Sequence, residues 1–188
     1  MRSAGVLALL ALIAPAARAA ATPVAPPGAP PPPLGAARLM GAFLIAGRIT
    51  TADNVPGERR GQSFLRTWTF TPTCPAGSCQ SIVLARPRAL GADTLTLHRR
   101  RPGYYTGRAK FYAPVRCGSR TYARGAAVPF TITVTVTAAT LDPTGAVLAS
   151  RVNATYENRA RTNLTPCVGV LGHDAASYHG HRLLIPSA

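Results

Sequence analysis

The chain has 188 residues, four cysteines and a formal net charge of +15, and 47% of its residues are hydrophobic. This length allows one domain with a hydrophobic core and is too short for two domains that each have a core of their own. The charge favours polyanionic partners, but twenty of the twenty-one basic residues are arginine, as a GC-rich coding sequence produces without selection for binding.

The N-terminal residues predict an exported protein. Arg2 gives a positive start, residues 4–14 (AGVLALLALIA) form an apolar run, and small residues flank Arg18 before a cleavage position after Ala19. The run is too short for a membrane-spanning helix, which needs about 20 apolar residues. We therefore expect residues 1–19 to be a signal peptide. We also expect a secreted or cell-surface location and no transmembrane span after cleavage.

Residues 20–37 predict a disordered linker. Seven of the eleven residues from 23 to 33 are proline, which removes backbone donors and favours an extended, solvated segment. The folded unit is then a single β-domain over residues 38–188, expected to be monomeric.

Period-two alternation predicts seven to eight strands after the linker. Residues 128–138 (VPFTITVTVTA) alternate apolar and threonine side chains most regularly. Weaker alternation marks residues 43–49, 62–71, 80–86, 94–98, 104–112 and 146–156, and a last short strand at 182–185. No segment keeps a 3.6-residue apolar period. Short connections favour an all-β antiparallel meander, with a barrel preferred over a sandwich.

The four cysteines predict two disulfides in an oxidising compartment, with three connectivities available. Cys74 and Cys79 flank a turn-forming insert, so a local bridge closing that hairpin is the economical choice. Cys117 would then pair with Cys167.

One stretch resembles small exported disulfide-bearing β-proteins of high-GC bacteria. It comprises RTWTFTPTCPAGSCQSIVLARP, then GYYTG and a later cysteine pair, within residues 62–167. The resemblance implies a strand, cysteine hairpin and strand, and no activity. Lipocalin-type meander barrels are a more distant likeness, because an inward tryptophan beside an arginine recurs in them. That likeness assigns no binding residues.

A basic and aromatic strand face is the best candidate surface for binding. Arg99, Arg100 and Arg101 precede a strand on which Arg108 and Lys110 share the outward face with Tyr104 and Tyr112. Cations and rings in this arrangement suit polyanions. An anionic envelope polymer, polysaccharide or lipid surface fits the compartment, whereas nucleic acid is not expected. The alternative is a solvated strand face.

A histidine-rich segment and one inward arginine are two further candidate sites. His173, Asp174, His179 and His181 are of the types that bind zinc or copper, although their Gly- and Ser-rich segment is typical of a loop. Arg66 shares the inward parity of Phe64, Trp68 and Phe70. It therefore either stacks on Trp68 at the rim or recognises a ligand at a cavity mouth.

Catalytic patterns are absent from the sequence. It has no GxSxG elbow and no evident carboxylate pair, so we expect neither catalytic residues nor a cofactor. The function expected is a non-catalytic exported β-domain with a structural or binding role at the cell surface. Polyanion binding and metal binding or metalloenzyme activity are the alternatives.

Overall fold

The fold comes from a computed structural model that describes residues 30–88, 91–167, 169 and 171–184. The expected signal peptide and residues 20–29 of the expected linker lie outside these ranges. The strands are β1 (Gly41–Asp53), β2 (Ser63–Pro72), β3 (Ser81–Arg88), β4 (Gly91–Arg101), β5 (Tyr104–Cys117), β6 (Arg120–Leu141), β7 (Val147–Asn158), β8 (Thr162–Asn163) and β9 (His173–Arg182).

Eight strands close into an antiparallel up-and-down barrel. β1 to β7 follow one another around the wall in chain order, and β9 closes the ring by pairing with both β7 and β1. β8 adds only a two-residue pairing to β6. The predicted all-β meander is therefore confirmed, and the chain forms the barrel rather than the sandwich.

Alternate residues fill the barrel from the lower end to about its middle. We call the lower end the one where β1 begins and β2 ends, and the mouth the opposite one. Phe43 and Phe70 pack edge to face with ring centroids 5.2 Å apart. The largest fully buried side chains also include Trp68, Tyr105, Leu39, Ile45, Ile82, Leu84, Leu97, Ile132, Val128 and Val134. An eight-stranded barrel has just enough interior for such a filling or for one small ligand.

The chain before β1 seals the lower end. Residues 34–37, which the sequence assigns to the linker, contain a 3-10 turn (Leu34–Ala36) and the fully buried Ala37. The backbone of Arg38 bonds to Val147 and Ala149 of β7. Its guanidinium donates to the Cys74 carbonyl oxygen over 2.6 Å. The folded unit therefore begins a few residues earlier than expected.

Two strands, β6 and β9, differ most from the sequence prediction. β6 has 22 residues instead of the eleven expected, because residues 120–127 pair with the end of β5 in a hairpin without apolar alternation and residues 139–141 extend the pairing with β7. β9 covers the segment that we interpreted as a histidine loop. Of the last strand expected at 182–185, Arg182 ends β9, residues 183–184 are not in a strand, and residue 185 lies outside the described ranges. The glycine of β9 has a packing role, since a Cβ on Gly180 would collide with Ile45 and Val152.

Both predicted disulfides are present. Cys74–Cys79 closes the lower hairpin between β2 and β3, with Cα atoms 5.5 Å apart. Cys117–Cys167 joins the tip of the β5–β6 hairpin to the β7–β9 connection, with Cα atoms 5.8 Å apart. The second bridge therefore holds two connections together at the mouth.

Candidate ligand site at the barrel mouth

A pocket of about 350 Å³ opens at the mouth, above the filled interior. Its wall carries four charged side chains, which we call the mouth charges: Glu58, Arg66, Arg86 and Asp174. Four rings line it as well: Phe64, Phe111, Tyr156 and Tyr178. This volume lies at the small end of the range for ligand pockets.

Arg86 of β3 lies at the base of the pocket among aromatic rings. It is 4% exposed, and its guanidinium carbon lies 4.6 Å from the centroid of Phe130 and 5.0 Å from that of Tyr156. Its Nε and Nη2 both donate to Oδ2 of Asp93, over 3.2 and 2.9 Å. A buried arginine needs such a partner, so Asp93 on the neighbouring strand compensates its charge.

Asp174 at the start of β9 is paired in the same way. Arg161, from the β7–β9 connection, donates from Nη2 to its Oδ1 over 2.6 Å, and both side chains are about nine-tenths buried. Arg161 also donates to Oδ1 of Asn158, whose amide bonds to the Pro129 carbonyl oxygen. This network fixes the connection over the mouth.

Arg66 of β2 points into the pocket, as its parity predicts. Its guanidinium stacks over Phe64, 4.8 Å from the ring centroid, so the expected stacking on Trp68 is wrong. Phe64 is the inward neighbour on the mouth side of Arg66, and the longer arginine stem reaches towards water in that direction. Within the described ranges its one hydrogen bond is a long one, 3.4 Å from Nη1 to the Pro87 carbonyl oxygen.

Glu58 lies in the β1–β2 connection and is half-buried. Burial raises the pKa of its carboxyl group, and the nearby Asp174 raises it further, against the lowering effect of Arg161 and Arg66. Its carboxylate forms no ion pair or hydrogen bond with any described residue. It is therefore a partly desolvated carboxylate that forms no ion pair among the described residues, although Arg161 and Arg66 act on it electrostatically.

The two tyrosines lie between the positive and negative sides of the pocket. Burial raises the pKa of Tyr178, and all four mouth charges act on its hydroxyl, the arginines lowering the pKa and the carboxylates raising it. Burial and then Asp174 raise the pKa of Tyr156. The Tyr156 hydroxyl is buried, and Asp174 raises its pKa both as a nearby negative charge and as a hydrogen-bond partner. Both phenols therefore stay protonated.

The basic strand face is present, but its members separate into two groups. Arg99 is half-buried at the lower end, where it donates to the carbonyl and hydroxyl oxygens of Ser78. Arg100 is exposed, and Arg101 stacks on Tyr104 at that same end. The outward residues Arg108, Lys110 and Tyr112 continue along β5 towards the mouth.

The structure adds a residue to the second group. The guanidinium of Arg124 on β6 lies 3.9 Å from the Tyr112 ring centroid, and Lys110 approaches the same ring at 5.5 Å. These two cations beside the hydroxyl lower the pKa of Tyr112. The hairpin face therefore presents a cluster of cations around one tyrosine.

The four candidate metal ligands are not brought together. Asp174 points into the barrel, whereas His173, His179 and His181 are exposed on its outside. His173 lies 2.8 Å from an Asp53 carboxylate oxygen. Among the described residues, no three histidine, cysteine or acidic side chains are arranged to hold a metal ion.

In the ranges that the structure describes, no helix has the length and apolar character to cross a membrane. Comparison with protein families, curated proteins and solved structures finds no match to the chain.

Most of the pocket was missed by the sequence interpretation, although a signal for it exists. Arg86 has the inward parity of Ile82 and Leu84, and Asp93 has that of Leu95 and Leu97. Both lie at the mouth ends of their strands. A charged residue with inward parity near one end of a strand therefore marks the polar end of this barrel.

Proposed function

We propose that this protein is a non-catalytic binding protein that takes a small ligand into the mouth pocket. The observation that carries the proposal is the inward ring of charges and aromatic rings at one end of an otherwise filled barrel. Replacing a buried ion pair by apolar residues of similar volume is often neutral or stabilising. Stability alone therefore does not account for charges inside the barrel. A binding role explains why they lie inside.

The filled interior restricts the kind of ligand. Trp68 and Phe70 are each 1% exposed and fill the lower half, so the described interior leaves little space there for a long lipid chain. A small molecule with polar ends fits the mouth pocket, because it can contact the mouth charges and the rings at the same time. This is the binding role that we favour over a purely structural one.

Ligand-observed NMR with a library of small fragments tests the proposal. Fragments that bind the oxidised, leaderless protein should also change the fluorescence of Trp68, the single tryptophan, whose ring lies 4.8 Å from Tyr178 of the pocket wall. Arg66→Met should weaken these fragments. Arg151→Met, on the outside of β7, is the matched control and should leave the binding of these fragments unchanged. A library without any Arg66-dependent binder would exclude the pocket as the site.

We propose further that the protein works outside the cytoplasm, secreted or at the cell surface. Two closed disulfides are compatible with an oxidising compartment, and the leader-like residues 1–19 support export. Sequencing the N-terminus of the exported product tests cleavage after Ala19.

Polyanion binding is a second candidate function, supported by the cluster around Tyr112. Replacing Arg108, Lys110 and Arg124 by Gln should shorten salt-sensitive retention on heparin more than replacing the exposed Arg59, Arg60 and Arg151. Equal losses in the two triple variants would mean that retention follows net charge alone.

A further inference from the structure

We infer that the ligand of the mouth pocket is a small zwitterion, whose carboxylate binds Arg66 and whose cationic group lies against Glu58 and the aromatic rings. This inference deepens the proposed function and rests on it. It follows from which of the mouth charges already have partners.

Two of the four mouth charges are compensated within the protein. Arg86 is paired with Asp93 and Asp174 with Arg161, each through a hydrogen bond of 2.9 Å or less. All four of these side chains are about nine-tenths buried or more. They form the fixed part of the site, and a ligand gains little by competing with such pairs.

Arg66 and Glu58 are the mouth charges left without an ion pair in the described part of the chain. Each is only half-buried and therefore reachable from the mouth. They also form no ion pair with each other, although each affects the electrostatics of the pocket. The pocket consequently offers one cation and one anion to a ligand.

Arg66 suits a carboxylate. A guanidinium presents its N–H donors in a planar fork that matches two carboxylate oxygens. Stacking on Phe64 holds that plane, and the one long bond to Pro87 leaves most of its donors unused among the described residues.

Glu58 and the rings suit a cation. Burial removes water from the Glu58 carboxyl group and disfavours its ionised form. A cationic group of the ligand beside it would stabilise that ionised form. The faces of Phe64, Tyr156 and Tyr178 attract cations as well, most strongly where water is excluded. A ligand with a single charge would leave either Arg66 or Glu58 uncompensated.

Calorimetric titration with isosteric probes separates the two charges. Glycine betaine carries both, choline carries only the cation, 3,3-dimethylbutanoate only the anion, and 3,3-dimethylbutan-1-ol neither. Betaine should bind about tenfold tighter than either singly charged probe. Its carboxylate accepts charge-assisted hydrogen bonds from Arg66, and its quaternary ammonium, which has no N–H to donate, is attracted by the Glu58 carboxylate and by the ring faces. Phenylalanine, 2-phenylethylamine and 3-phenylpropanoate repeat the comparison at larger size.

Two variants assign the charges to residues. Arg66→Met should weaken betaine and 3,3-dimethylbutanoate about tenfold and leave choline unchanged. Glu58→Gln should weaken betaine and choline and leave 3,3-dimethylbutanoate unchanged. Arg151→Met should alter none of the probes.

The outcomes distinguish this inference from the proposed function. If library fragments bind in an Arg66-dependent manner but neither zwitterion exceeds both of its singly charged analogues, the ligand class is wrong and the site stands. If neither fragments nor probes bind, both proposals are overturned. Equal binding of 3,3-dimethylbutanoate and betaine would identify a plain anion site.

Discussion

At the residue scale, the mouth charges show how far strand parity can be used. Arg66 was identified as inward from the sequence because Phe64 and Trp68 share its parity, and the structure places it in the pocket wall. Its stacking partner could not be predicted, because the direction of a long side chain depends on where water is. Glu58 lies in a connection without any periodic pattern, so its position had no sequence signal.

Glu58 also gives a prediction for stability. Because folding raises its pKa, the folded protein holds this proton more tightly than the unfolded chain does. The stability contributed by the protonated form is full at acid pH and is lost as pH rises through the folded pKa. Glu58→Gln should therefore have a higher free energy of unfolding than the parent protein at pH 7, and this gain should vanish well below pH 4.5, the ordinary pKa.

Denaturant melts of both proteins across this pH range measure the effect. Glu157→Gln is the matched control, because that exposed carboxylate pairs with Arg159 and should change stability by no more than about 1 kcal/mol. A Glu58→Gln protein less stable than its parent at pH 7 would show that the carboxylate has a cationic partner in solution.

At the scale of elements, regular alternation of apolar and polar residues predicted strands well. Strands without that alternation were missed or predicted too short. β1 and the second half of β6 bury alternate apolar residues as expected. β9 buries Ala176 and Gly180, whose small size resembles loop composition, and a side chain at Gly180 would collide with Ile45 and Val152. Residues 120–124 of the β5–β6 hairpin bury no apolar face, so the sequence carried no alternation there, and backbone pairing and the Cys117–Cys167 bridge hold this part of the hairpin.

The disulfides give a prediction at this scale. Cys117–Cys167 spans 50 residues and Cys74–Cys79 only 5. Loop-closure entropy assigns about 4 kcal/mol to the longer bridge and about 2 kcal/mol to the shorter one. Replacing Cys117 and Cys167 by Ser should therefore lower the free energy of unfolding by more than replacing Cys74 and Cys79 does, as measured in guanidinium chloride. The reverse order would mean that the contact between Arg38 and Cys74 at the lower end contributes more to stability than the Cys117–Cys167 bridge at the mouth.

At the scale of the whole molecule, the fold class could be predicted and the site could not. Counting strands and connection lengths led to an antiparallel meander and to the closed barrel. The pocket depends on which strand ends meet around the mouth, and this depends on barrel closure by β9, the strand that was interpreted as a loop. Once β9 is in place, Asp174 belongs to the pocket and the histidines lie outside.

The most direct test is a map of amide chemical shifts in the oxidised, leaderless protein during titration with glycine betaine and phenylalanine. The expected result is that the shifts cluster around Glu58, Phe64, Arg66 and Tyr178, and that residues of the outer face such as Arg108 and Tyr112 stay unchanged. Shifts confined to that outer face, or no shifts at saturating concentrations, would contradict a ligand site inside the mouth.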